Sequence, residues 1–153
     1  MKKFLFALFA VLFCVGTASA FIDKYTINRS ELPEESQAFL DKYFSKAKIS
    51  MIKVDRHLLR KADYDVKLVN GTKLEFNSRG GWTSVDCGKR EVPDGIVPSA
   101  VIRHIKKNFD SLPVNKIVKK SSSFEVTLSD GVRLKYDRLG IYKGVLSIDE
   151  DKD

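Results

Sequence analysis

The side chains in this sequence that could carry out catalysis are few and scattered. Two histidines and two cysteines occur in 153 residues. His57 lies in a basic segment and His104 on an apolar helical pattern, and neither has the H-x-x-x-H spacing of a metal site. Cys87 has no C-x-x-C partner, so we interpret it as a small buried hydrophobic residue rather than a reactive thiol. The sequence therefore predicts a protein that is not an enzyme, without catalytic residues or metal ligands.

Motifs that bind phosphate or calcium are also missing from the sequence. It contains no P-loop and no G-x-G-x-x-G, and Arg79-Gly80-Gly81 is typical of a turn. The EF-hand spacing does not occur either. Asp149, Glu150 and Asp151 could contribute to a weak calcium site, but we interpret them as part of a solvated tail. No cofactor is predicted, and calcium remains a weak alternative.

Residues 1–20 have the pattern of a secretory signal peptide. Two lysines precede an uncharged apolar run from Phe4 to Val15, and small residues lead to Ala20. That run is shorter than the ~20 apolar residues of a spanning helix. We expect cleavage after Ala20, export, no membrane span, and a single domain formed by residues 21–153.

The composition of the exported part narrows the classes of partner and the source of stability. The whole chain has a formal net charge of +7, but its basic and acidic residues are interspersed, so no nucleic-acid partner is predicted. Cleavage would leave Cys87 as the only cysteine, which excludes an intramolecular disulfide. Stability must therefore come from packing.

A β-hairpin pattern occurs twice, which indicates a tandem duplication. Asn70-Gly71 and Asp130-Gly131 each separate two runs of alternating apolar and polar residues, a strong hairpin signal that predicts a type I′ turn. The two glycines are 60 residues apart, as are Trp82 and Tyr142. The apolar positions predicted to face inward are Tyr64, Val66, Leu68, Leu74 and Phe76 in the first copy, and Phe124, Val126, Leu128, Leu134 and Tyr136 in the second.

Each hairpin follows an amphipathic helix pattern. The first begins near Pro33 and the second near Pro98, and apolar residues then recur with a period of about 3.6. Short apolar stretches on either side of each hairpin supply two further strands. The predicted fold class is α+β, with each repeat a helix packed on an about four-stranded antiparallel sheet. Repeat 1 spans about residues 30–88 and repeat 2 about residues 95–148.

These repeats resemble a known family. The run from Gly80-Gly81-Trp82 through Val85-Asp86-Cys87 to Val97-Pro98, together with the two hairpins, is similar to the PepSY-like periplasmic proteins of Bacteroidetes. The resemblance covers essentially the whole mature chain. It implies a periplasmic location and a fold like that of the beta-lactamase inhibitor protein, with helices behind a sheet. It brings no catalytic residues.

The outward face of the sheet is the predicted contact surface for a protein partner. Alternation places Lys67, Lys73, Arg133 and Lys135 on that face, and Trp82 and Tyr142 would join them if the alternation continues. A bulge after Gly81 would instead turn Trp82 into the core. The predicted function is a non-enzymatic binding or inhibitory module. The alternative is a periplasmic sensor that responds to calcium or a small ligand.

Overall fold

The part of the chain that the structure describes forms a single antiparallel sheet with two α-helices on one of its faces. The computed structural model describes residues 23–55 and 63–146, and in these ranges it has nine strands in the sheet order β1 to β9. The helices are α1 (Glu34–Phe44) and α2 (Ser99–Asn108), and a short 3₁₀ helix spans Arg29–Glu31. The strands are β1 (Lys24–Thr26), β2 (Ile49–Asp55), β3 (Asp63–Leu68), β4 (Lys73–Phe76), β5 (Trp82–Asp86), β6 (Val114–Lys119), β7 (Ser123–Leu128), β8 (Arg133–Asp137) and β9 (Tyr142–Val145).

The predicted α+β duplication is confirmed. Helix α1 with β2–β5 and helix α2 with β6–β9 have the same order of elements, and pairing of β5 with β6 joins the two halves into one sheet. The predicted signal peptide with its predicted cleavage site, His57 and the acidic tail lie outside the described residues. No helix within the described ranges is long and apolar enough to cross a membrane.

Both hairpins form where the sequence predicts them, but their turns are of a different type. Residue 68 donates its N–H to the carbonyl of Thr72, and residue 128 donates to Val132, each at 2.9 Å, so three residues form each loop. Gly71 and Gly131 have φ values of 88° and 93°, whereas the preceding Asn and Asp are not among the positive-φ residues. The type I′ prediction is therefore wrong. A three-residue loop needs a positive φ only at its last position, which glycine adopts without a Cβ clash.

The strand register places both helices on the same side of the sheet. Directly paired residues of antiparallel strands share a face. One apolar row crosses the sheet through such pairs: Thr26, Ile52, Val66, Leu74, Val85, Ile117, Val126, Leu134 and Val145. Leu40 of α1 and Val101 and Ile105 of α2 belong to the buried core that most of this row forms. The core thus lies between the helices and one face.

Cys87 lies in this core, as the sequence predicts. Its exposed fraction is 4%. Burial raises the pKa of the thiol above its ordinary value and outweighs the hydrogen bond from Thr72, which acts in the opposite direction. Because a thiol with a raised pKa is a poor nucleophile, Cys87 is a packing residue.

One side chain stabilises the turn between the last two strands of each repeat: Asn77 in the first and Asp137 in the second. Because Asp137 can be protonated, its turn should depend on pH. The Oδ1 atom of Asp137 accepts the N–H groups of Leu139 (3.0 Å) and Ile141 (2.9 Å), and Lys143 Nζ lies 3.1 Å from the carboxylate. The bond from Ile141 is the main cause of a lowered Asp137 pKa. A carboxyl group with a lowered folded pKa stabilises the protein above its unfolded pKa, and that contribution disappears as the pH falls through the folded pKa.

We therefore expect Asp137→Asn to lose less stability than the wild type when the pH falls below about 4. Asn77 accepts the equivalent N–H groups of Arg79 (2.9 Å) and Gly81 (3.2 Å), so an asparagine can hold this turn. Urea denaturation at pH 7 and pH 3 measures the difference. The reciprocal Asn77→Asp variant should gain acid sensitivity, and identical pH profiles for all three proteins would contradict the assignment.

Candidate functional site on the open sheet face

The face of the sheet opposite the helices is crossed by a second row of side chains. Following the pairs from edge to edge, this row contains Tyr25, Lys53, Asp65, Glu75, Ser84, Val118, Glu125, Lys135 and Gly144. It is largely polar and charged, in contrast to the apolar row behind it. Within the described residues both helices lie on the other side, so this open sheet face is available for contact.

The four predicted basic residues all lie on the open sheet face. Lys67 and Lys73 are opposite each other on β3 and β4, and both are exposed. Lys135 and Arg133 lie on β8, where Lys135 is exposed and Arg133 is half-buried. Their predicted orientation is confirmed, because period-two alternation persists through these strands. The structure brings them together as two groups on one surface, separated by β5–β7.

Acidic side chains form a cluster on the first half of this face, which depends on the strand register and is not indicated by any local sequence pattern. Asp55, Asp63, Asp65 and Glu75 line a hollow of about 240 Å³. Desolvation raises the pKa of Asp65; Lys53 opposes this effect, and the neighbouring carboxylates add to it. Desolvation also raises the pKa of Glu75, with Asp65 contributing. Despite this crowding, no group of three or more His, Cys, Asp or Glu in the described ranges is arranged to hold a metal ion.

The second half of the face is basic and contains one buried acid. Glu125 is only 9% exposed although it points away from the helices. Its carboxylate lies 2.8 Å from Lys120 Nζ and 3.6 Å from Arg133 Nη2. These two cations cover it and offset the cost of its burial. The open sheet face therefore changes from acidic to basic along its length.

The prediction that Trp82 and Tyr142 point away from the helices is wrong. Phe76 is opposite Trp82 while Glu75 is opposite Ser84, so Thr83 is the extra residue of a β-bulge. The same shift occurs in β9, where Tyr136 is opposite Tyr142. A bulge interrupts the alternation, so both aromatic side chains turn to the helix side. The alternative in which a bulge after Gly81 rotates Trp82 is the correct one.

Among the described residues, the exposed aromatic side chain of the open sheet face is instead Tyr25. Its exposed fraction is 60%, and its neighbour across β1 and β2 is Lys53. Lys53 in turn lies 3.1 Å from Asp23 Oδ2, and this hydrogen bond raises the lysine pKa. The sequence alone does not indicate Tyr25, because β1 has only three residues, too few for any periodicity to assign a face.

Behind the sheet, the bulged aromatics complete two equivalent ring clusters. In the first repeat the Phe39 ring packs edge-on against Phe76 at 5.7 Å and lies 6.2 Å from Trp82. In the second repeat His104 packs edge-on against Tyr136 at 5.6 Å and stacks on Tyr142 at 4.5 Å. His104, predicted to be a partly buried helix residue, is half-buried. The second cluster is thus a polar version of the first.

The polar pair in the second cluster should behave as a unit. His104 Nδ1 and the Tyr136 hydroxyl share a hydrogen bond of 3.0 Å, and burial raises the Tyr136 pKa to about 12, so the phenol stays neutral. We expect His104→Phe to cost about 1–3 kcal/mol of stability, because it leaves a buried hydroxyl without a partner. His104→Phe/Tyr136→Phe, which copies the first repeat, should recover part of that loss. Urea denaturation of both single variants and the double variant measures the coupling, and strictly additive effects would contradict it.

A duplicated unit of one helix and four antiparallel strands, with one open sheet face, defines a beta-lactamase-inhibitor-like class of α+β fold. The family model described as "Putative beta-lactamase-inhibitor-like, PepSY-like" matches residues 62–143, more than half of the chain. This protein belongs to that PepSY-like family. No curated protein matches its sequence.

Solved structures agree with this assignment. A "putative periplasmic protein of unknown function" from Bacteroides vulgatus ATCC 8482 is 32% identical with a TM-score of 0.78, covering 82% of this chain and 100% of its own. A "putative calcium-regulated periplasmic protein" from Bacteroides thetaiotaomicron is 30% identical with a TM-score of 0.76, covering 82% of this chain and 97% of its own. Neither description, nor that of the family, indicates a catalytic role.

Proposed function

We propose that this protein is a non-enzymatic periplasmic binding module that docks a protein partner on its open sheet face. The observation that supports this proposal is the placement of both helices on one side of a continuous nine-stranded sheet. The signal-peptide pattern and the periplasmic descriptions of the two relatives support the location. The inhibitor-like fold of the family supports a protein as the partner.

The size of the open sheet face fits a specific protein interface. Strands in a sheet are about 4.8 Å apart, so nine strands span about 40 Å, and strands of five or six residues are about 17–20 Å long. The resulting area is on the order of 700 Å², close to the ~800 Å² that each partner buries in a standard complex. The face can therefore form a stable interface without further domains.

The contact residues that we propose are Lys67, Lys73, Arg133 and Lys135, with Tyr25 as the aromatic anchor. Tyr25 takes the role first given to Trp82 and Tyr142, because exposed tyrosines are common at binding hot spots. The acidic cluster beside Lys67 and Lys73 disfavours a uniformly anionic surface such as a membrane. A partner with segregated positive and negative patches fits this pattern best.

Affinity capture from periplasmic extract of the source bacterium tests the proposal with two charge-matched variants. The face variant changes Lys67, Lys73 and Lys135 to Glu, and the control changes Arg103, Lys106 and Lys107 of α2 to Glu. All six residues are exposed, so each variant reverses three positive charges. Lys67 and Lys73 face each other, so their pair stays a like-charge pair. Lys135→Glu places a carboxylate opposite Glu125, so circular dichroism must show that both variants are folded before their capture is compared.

We expect the face variant to lose the captured protein and the control to retain it. Equal capture by both variants would contradict docking on this face. Calcium is the relevant second ligand, because one relative is described as calcium-regulated. A calorimetric titration that shows saturable calcium binding, together with no captured protein, would favour the sensor function over docking.

A further inference from the structure

A hollow of about 560 Å³ lies at the C-terminal end of α1, next to the β3–β4 turn. Its apolar walls come from Tyr43 and Phe44, from Ala47, and from Val69, a residue that is 67% exposed. The volume is within the ~300–1,000 Å³ range of small-molecule sites. This hollow is separate from the proposed docking face, so what it binds is independent of the proposed function.

The charged side chains that line this region are all basic. Lys46 and Lys48 line the hollow, and a second hollow of about 260 Å³ shares Phe44, Ala47 and Lys48 with it. Arg29 is the other charged residue of the second hollow, and it pairs with Asp41 at 2.7 Å. The carbonyl end of α1 alone would repel an anion. The two lysines reverse this local potential, so the hollow favours an apolar ligand with a negative charge.

The second repeat shows that the fold itself does not require this lining. The frame of backbone hydrogen bonds is shared by both copies, because Val69 donates its N–H to the Lys48 carbonyl at 2.8 Å and Ser129 donates to Pro113 at 2.9 Å. The helix end before it differs: Asp110 and Ser111 have positive φ values of 47° and 56°, whereas Ser45, the equivalent of Asp110, is helical with a φ of −53°. The residues around the frame differ between the copies: Tyr43, Lys46, Ala47, Lys48 and Val69 correspond to Asn108, Ser111, Leu112, Pro113 and Ser129. A leucine therefore replaces the alanine at the wall of the hollow, and the lysines are replaced by uncharged residues.

We propose that the hollow of the first repeat binds a small amphipathic anion with one carboxylate and one apolar chain. The chain would lie between the two rings and Val69, where it loses contact with water. The carboxylate would pair with the ammonium groups of Lys46 and Lys48 at the rim. The second repeat shares the hydrogen-bond frame but has a different helix end and none of these side chains, so it serves as an internal control for the assembled hollow.

Octanoate is the probe, and amide chemical shifts of the isotope-labelled protein are the measurement. We expect saturable shifts at residues 43–48 and 69–70, and none at the equivalent residues 108–112 and 129–130; Pro113 has no amide proton. Octanol has the same chain without the charge, and it should bind at least fivefold more weakly. Saturable shifts with octanol at equal affinity would overturn the anionic assignment.

Two variants test whether octanoate binds in the hollow. Ala47→Leu introduces the residue of the second repeat and should weaken octanoate binding at least tenfold, whereas the matched Leu112→Ala should leave the affinity unchanged. Lys46→Ser/Lys48→Gln should weaken octanoate binding without changing that of octanol, and it tests the proposal even if Ala47→Leu fails to fold. The proposal would be overturned if the lysine variant bound octanoate with unchanged affinity. It would also be overturned if the shifts at residues 43–48 changed with protein concentration and not with octanoate concentration.

Discussion

Gly140→Ala is expected to destabilise the protein by about 2–4 kcal/mol, whereas Gly131→Ala should cost about 1 kcal/mol. Both glycines have positive φ values, 79° and 93°, so either alanine suffers the same backbone strain. They differ in the space around them. A Cβ at residue 140 would come within 2.7 Å of the Ala100 Cβ in α2, and a Cβ at residue 131 would meet nothing within 4 Å. The difference between the two variants measures the packing of the turn on the helix.

The first repeat provides the same experiment with an added hydrogen bond. A Cβ at Gly80 would lie 2.8 Å from the Pro33 Cβ and 3.0 Å from the Ser36 backbone nitrogen at the start of α1. The Ser36 hydroxyl donates a buried hydrogen bond of 3.0 Å to the Gly80 carbonyl. Gly80→Ala should therefore cost at least as much as Gly140→Ala. Gly71→Ala is its control, because φ is 88° there and the site is open.

Chemical denaturation followed by far-UV circular dichroism gives these free energies of unfolding. If all four alanine variants lose the same stability, the cost is purely one of backbone conformation, and the contact between turn and helix is not a determinant of the fold. A larger loss of stability at residues 80 and 140 would show that these glycines allow each helix to pack closely on the sheet.

The close approach at these glycines also explains which predictions from the sequence succeeded. Alternation along β3, β4, β7 and β8 correctly placed Lys67 and Lys135 outward, because regular strands keep a period of two. The alternation fails after Gly81, where the turn is pressed against α1 and a bulge follows at Thr83. That contact joins residues more than 40 positions apart, which no local pattern encodes. The same limit explains why Tyr25, paired with distant Lys53, was not identified.

The residues of the open sheet face and those of the hollow could be predicted from the sequence to different degrees. Single strands reveal that Asp65 and Glu75 face outward, but their crowding with Asp55 and Asp63 depends on strand register. Likewise, Asn-Gly and Asp-Gly indicated hairpins correctly, although a three-residue loop uses the same glycine as a type I′ turn. The hollow at Ala47 could have been suspected from the two copies, since Leu112 takes the equivalent position. Patterns thus define elements and faces, whereas sites require the pairing of distant segments.

Trp82→Ala is expected to cost about 2–3 kcal/mol of stability, because the ring belongs to the structure behind the sheet. The Trp82 ring lies 6.2 Å from the Phe39 ring of α1. The Nζ atom of Lys119 lies 4.3 Å from the centre of the Trp82 ring. Burial lowers the pKa of Lys119, while Glu35 opposes that shift. Removing the indole therefore leaves a cavity between α1 and the sheet, and it also removes the cation–π partner of Lys119.

Tyr25→Ala should have the opposite effects: it should weaken capture of the partner and leave stability nearly unchanged. The side chain is exposed at the edge of the open sheet face, so its removal should change the free energy of unfolding by no more than about 0.5 kcal/mol. If the proposed docking holds, capture of the proposed partner should weaken in this variant, and folded Trp82→Ala should retain it. Denaturation followed by circular dichroism and capture under identical conditions separate the two effects. If Trp82→Ala keeps full stability but loses the partner, the partner binds the helix side, and the open sheet face is not the docking surface.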